Sequence, residues 1–90
     1  MVSEQDIQKQ FNTSDVHQYQ SKQLFLVNSN LLVSYTTIIG KSKFNPETGK
    51  HEWFLTTTKH SQTTTKHSNC FKREHERMGY KVFFVDQLPE

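Results

Sequence analysis

Cysteine is almost missing from this chain: Cys70 stands alone. No internal disulfide can therefore staple the fold, and a reducing compartment is the expected setting. Apolar residues are also scarce, at 32% of the chain, against about 45–50% with glycine counted in an ordinary globular domain. The longest unbroken apolar runs, Leu24–Val27 and Val82–Val85, are four residues each, far below the roughly 20 that span a bilayer. No membrane association is expected. The opening MVSEQDIQKQ has neither the positive start nor the apolar stretch of a secretion signal. The sequon at Asn12-Thr13-Ser14 is accordingly read as coincidence. Charge of either sign is modest, with a net +2, which does not by itself specify nucleic acid; a clearly basic domain shows a pI above about 9 and a clustered face.

Chemical signatures are missing as well. There is no Gly-rich phosphate loop, no paired CxxC or HxxxH, and no convincing carboxylate pair. Neither enzyme activity, nor a metal, nor a cofactor is expected.

What the chain does have is large side chains in a polar background. Seven Phe, three Tyr and Trp53 must supply most of a small core, while Ser, Thr, Asn and Gln supply solvation. Ninety residues make one domain near the lower end of what folds alone. The stretch from Glu52 to Tyr80 organises the rest. In it the hexad Thr-Thr-Thr-Lys-His-Ser occurs at 56–61 and again at 63–68. The first copy follows Trp53-Phe54-Leu55, a strand-like run. The second opens a charged stretch of adequate helix formers that stops at Gly79.

In chain order, Ser3 and Asp6 form a capping pair for a short helix, with Val2 placed to staple onto Ile7. The polar N-terminal segment, 1–22, holds this helix, with a further short turn capped by Ser14, and a single compact domain occupies 23–90. Gln23–Val27 is strand-like, and Leu31–Ile39 reads as one strand with Leu31, Val33, Tyr35, Thr37 and Ile39 on its buried face. Gly40 marks a bulge or bend. Asn45-Pro46-Glu47-Thr48-Gly49 is a turn signal, giving a hairpin that pairs roughly 31–44 with 51–60. A helix starting at Ser61 or Thr63 should run to about Met78, with Gly79 in the left-handed terminating position. Its stripe His67, Cys70, Phe71, Glu74, Met78 should bury Phe71, Met78 and Cys70. Tyr80–Val85 is a last strand, apolar on both faces. The expected fold is α+β: a small, mainly antiparallel sheet of three to four strands, with one main helix packed on it and the short N-terminal helix. The strand–helix–strand end could instead run its strands parallel through a crossover.

Ser34-Tyr35-Thr36-Thr37, followed by Ser61-Gln62-Thr63-Thr64-Thr65-Lys66-His67, resembles a pattern of small bacteriophage proteins. In those, a strand carrying S-Y-x-T precedes an aromatic strand and then an S-x-T-T-x-K-H element that opens a helix. The resemblance covers about residues 31–72. It implies phage origin, a compact accessory protein in the host cytoplasm, and no catalytic residues to carry over. The doubled hexad and the turn at 45–49 depart from that pattern.

Candidate sites follow from residue chemistry. Thr63, Thr64, Thr65, Lys66 and His67 at a helix start suit an anion, although ordinary capping uses the same groups. Lys59, Lys66, Lys72, Arg73 and Arg77 form a basic run to which Trp53, Tyr35 or Tyr80 could add base stacking; Glu74 and Glu76 interrupt it and suit a solvated, mixed-charge face instead. His60, His67, Cys70 and His75 are permitted zinc ligands without a paired motif, and read as incidental. Cys70 with His67 or His75 can be written as a nucleophile pair, but a cysteine on an apolar helix face is usually inert. The function expected is a non-enzymatic binding module, with nucleic acid as the favoured partner. The other reading is a module that binds or inhibits a host or phage protein, or its own copy.

Overall fold

Ser3 starts the first helix by reciprocal capping. Its hydroxyl accepts from the Asp6 amide at 3.2 Å and its own amide donates to the Asp6 carboxylate at 3.0 Å. The Ser3 amide also holds the Asp6 carboxyl below its ordinary range, so it stays charged where the helix dipole favours an anion. Helix α1, Glu4–Phe11, ends at Asn12 in the left-handed conformation. The computed structural model describes residues 2–57 and 62–89, with the backbone alone for residues 62–64. Six strands follow the order β1 (Val16–Tyr19), β2 (Ser21–Val27), β3 (Leu31–Ser34), β4 (Thr37–Asn45), β5 (Lys50–Thr56) and β6 (Val82–Val85), with α2 (Gln62–Arg77) between the last two. The sheet runs β1-β2-β3-β4-β5-β6, antiparallel until β6 lies parallel to β5. Among the described residues no helix is long and apolar enough to cross a membrane.

The α+β class is as expected, but the described residues form six strands in place of the expected three to four. Two readings caused the shortfall. Residues Val16–Tyr19 form an edge strand where the sequence suggested a second helical turn. Leu31–Ile39 is two strands rather than one, because Tyr35 adopts φ 57 and folds the chain back between β3 and β4. Asn28 and Ser29, both at positive φ, turn β2 into β3, closed by the Asn30 amide on the Val27 carbonyl at 3.1 Å. Positive φ at both central positions of this turn matches the right-handed twist of the flanking strands, and three residues, Asn28 to Asn30, separate the paired Val27 and Leu31. The Asn45–Gly49 turn forms as read, with Gly49 at φ 69 and the Asn45 side chain accepting from the Glu47 amide. It pairs Gly40–Asn45 with Lys50–Leu55; residues 31–34 of the expected ladder form β3 instead, and residues 58–60 lie outside the described residues.

The helices cover opposite faces of the sheet. Ile7 of α1 packs with Val16, Phe25, Val27 and Val33, joined by Val2, Phe11 and Leu31. Phe71 of α2 packs on the other face with Leu24, Leu32, Ile39, Trp53, Leu55 and Val82. A bulge at Ile39-Gly40, across from Leu32 and Val33, turns both residues toward α2. The α2 stripe is rotated from the expected one. His67, Ser68, Phe71 and His75 are buried, Cys70 is half-buried, and Met78 is 56% exposed. Polar-looking histidines occupy the centre of the packed face, and Met78 lies one residue past the end of α2. The exit is the expected glycine stop: Gly79 sits at φ 93, its amide bonds the Glu76 carbonyl, and the Tyr80 amide bonds that of His75.

Candidate functional site

The β3–β4 turn and the first turns of α2 meet around one histidine. His67 Nδ1 lies 3.0 Å from Ser34 Oγ and its Nε2 lies 3.2 Å from Ser21 Oγ. Tyr35 lies against the same imidazole, with ring centroids 6.4 Å apart. The chain thus joins the two halves of the motif pattern, Ser34-Tyr35 and Lys66-His67, which the sequence places 33 residues apart. A neutral imidazole donates from one nitrogen and accepts at the other, and hydroxyls can rotate to serve either. Ser34 is 1% exposed, so its hydroxyl faces no substrate. Ser21 is half-buried, but its base would be an imidazole oriented by a neutral hydroxyl and disfavoured as a cation by burial. The arrangement acts as a clasp that seats α2 on the sheet.

Burial lowers the His67 pKa, and burial likewise lowers that of His75 against the opposing pull of the Phe71 carbonyl and Glu74. Both folded-state values fall below the ordinary 6.5, so the unfolded chain takes up protons first as pH falls. Their contribution to stability is complete above about pH 6.5 and is lost below it, toward the lowered folded values. Urea midpoints should therefore hold between pH 8 and 7 and decline below pH 6.5, with a shallower decline in His67→Gln. A midpoint that is flat down to pH 5 would contradict this.

The basic run sorts by helical phase. Lys66, Arg73 and Arg77, separated by seven and then four residues, are all exposed, and that spacing sets them in one outward line, opposite the packed face. Glu74 and Glu76 flank this line: Glu74 pairs with Arg77 at 3.0 Å and Glu76 with Lys72 at 2.6 Å. Both pairs are largely solvated, so they neutralise little. Lys66 and Arg73 have no ion pair among the described residues. Lys59 and His60 lie outside the described residues, as do Ser61 and the side chains of Thr63 and Thr64. Thr65 is exposed within the first turns, and Thr63 lies inside α2 rather than capping it. His67, committed to its clasp, is not presented to an anion. Among the described residues no group of His, Cys, Asp and Glu is arranged to hold a metal.

Trp53 requires correction as a stacking residue. It is 5% exposed, with Phe71 edge-on at 4.7 Å and His75 at 5.7 Å, so no base can reach its ring.

A family model matches residues 4–86, a span that runs from the first residue of α1 past the end of β6. The chain belongs to a family of unknown function, DUF8033. No curated protein and no solved structure matches it. The family span takes in the His67 clasp, the α2 line and a third surface, which the sequence shows only as aromatic residues on both faces of the sheet and does not resolve into residues.

That surface is the half of the sheet that α1 leaves uncovered. Because Trp53, Leu55 and Val82 turn toward α2, their neighbours Phe54 and Phe83 turn away from it. These two rings stack at 5.5 Å with 23° between planes, and Phe83 is 42% exposed. Ile38, across from Val33, lies on the same side and is 38% exposed. Lys41 stands across from Phe54, and Lys43 across from Glu52. The doublets Trp53-Phe54 and Phe83-Phe84 were the available signal, since aromatics on both strand faces need a use for each.

Proposed function

We propose that this protein is a small non-enzymatic binding module of phage type that takes nucleic acid as its ligand in the host cytoplasm. The observation that carries the reading is the outward line of Lys66, Arg73 and Arg77 on α2, exposed and only lightly countered by acids. Such a line meets phosphates, which positions a nucleic acid without reading its sequence. Affinity should fall steeply with salt, because each neutralised phosphate releases counterions. Changing both Lys66 and Arg73 to Ala should weaken binding and reduce the slope of log affinity against log salt by about two. Lys72→Ala should change it less, since Lys72 is half-buried and lies off the outward line of Lys66, Arg73 and Arg77. Titrating a labelled oligonucleotide at several salt concentrations measures both quantities, and an unchanged slope in the double variant would remove α2 from the interface.

A protein partner is the second reading, favoured by the free outer edge of β6. Among the described residues Val82–Val85 pair only with β5, leaving a row of main-chain groups that an added strand can use. Lys81 and Asp86 flank this short edge, the usual protection against indiscriminate pairing.

A further inference from the structure

We infer that the uncovered half of the sheet, β4–β5–β6 on the side away from α2, is a stacking platform for single-stranded nucleic acid. This surface lies on the opposite side of the sheet from the α2 line and does not depend on that line for its argument.

Three observations converge on it. The first is the adjacent ring pair of Phe54 and Phe83, with Ile38 exposed on the same side of the sheet. Since α1 packs over β1–β3, these side chains lie outside both helix-covered cores. The second is the placement of cations. Lys41 neighbours Phe54 across the ladder, Lys43 lies one pleat further on, and Lys81 precedes Phe83 by two residues. The third is the charge balance on this half. Glu52, across from Lys43, accepts from the uncharged Asn45 side chain at 3.2 Å, so one carboxylate stands among the three lysines.

Charge decides the occupant. A second copy of the chain would bring two sets of these lysines together over a modest apolar area, with one Glu52 from each side. A polyanion has the complementary sign. Duplex nucleic acid keeps its bases stacked inside and offers no π face to Phe54 or Phe83. A single strand supplies both parts, splayed bases for the rings and phosphates for the lysines. Stacking of this kind tolerates any base, so little sequence preference is expected.

The test compares labelled single-stranded and duplex oligonucleotides of the same sequence by fluorescence anisotropy, using the full chain and far-UV circular dichroism as a folding control. Wild type should prefer the single strand by at least tenfold. Phe83→Leu and Phe54→Leu keep apolar bulk on the sheet while removing the ring, and each should lower single-strand affinity about tenfold with duplex affinity unchanged. The Lys66 and Arg73 double variant should instead weaken both ligands alike. If that double variant is silent while the Phe variants lose the single strand, the platform stands and the α2 reading falls. Equal affinity for the two ligands, or leucine variants that bind as wild type does, would overturn the platform. A dimer abolished by Phe83→Leu, with no oligonucleotide bound, would also overturn it and assign the face to self-association.

Discussion

Phe71→Ala is expected to cost about 3–5 kcal/mol, the range for removing a fully buried aromatic ring. Phe71 is the anchor of α2: it is 0% exposed, edge-on to Trp53, stacked at 3.8 Å on His75 and 5.7 Å from Tyr19. Its loss leaves α2 held by the His67 clasp, the contacts of His75 with Trp53 and Tyr19, and the Gly79 exit. Domains of this size are stable by only about 5–15 kcal/mol, so the variant should melt more than about 10 °C lower. Because Trp53 lies under the same ring, its fluorescence should report the transition directly. A variant that melts within a few degrees of wild type would show that α2 is not docked as described.

Gly40→Ala should also destabilise, by about 1–3 kcal/mol. Replacing glycine by alanine ordinarily helps where the backbone permits it, by about 0.4–1 kcal/mol, so the sign of the change is the informative part. At the bulge, a Cβ on residue 40 would stand 2.6 Å from Leu55 Cδ2 and 3.2 Å from Leu32 Cβ. The first contact could be relieved by a rotamer change in an open site, but Leu55 is 0% exposed. The second involves an atom fixed to the β3 backbone. The same substitution made in a Leu55→Ala background should cost clearly less, since residues in contact couple. Urea denaturation of the four proteins in that cycle measures the coupling. Additive losses would mean that the bulge does not bring these residues together.

Local chemistry was the readable part of the sequence. The Ser3 and Asp6 cap, the Asn45–Gly49 turn, the Gly79 stop and the Gly40 bulge each depend on a few neighbouring residues whose conformations few others supply. Leu31–Ile39 was misread because its alternation continues through the point where the chain reverses. The reversal depends on Tyr35 at positive φ, a conformation that a bulky aromatic rarely takes. Tertiary contacts hold it there: its amide bonds the Gln23 carbonyl at 2.8 Å and its ring lies against His67. In α2 the packed stripe was displaced because His67 and His75 look polar until a sheet covers them. The outward line of Lys66, Arg73 and Arg77 follows from spacing and was within reach. Trp53 was not, since β5 and β6 are apolar on both faces and nothing local says which face the helix will cover. That same ambiguity concealed Phe54 and Phe83.

The central claim is that the chain binds nucleic acid, and the most direct measurement is a titration of wild-type protein with a labelled single strand at low and moderate salt. Saturable binding that weakens steeply as salt rises, and exceeds binding to the matched duplex, is the result this account predicts. No binding at low salt would contradict it and leave the free β6 edge and a protein partner as the reading to pursue.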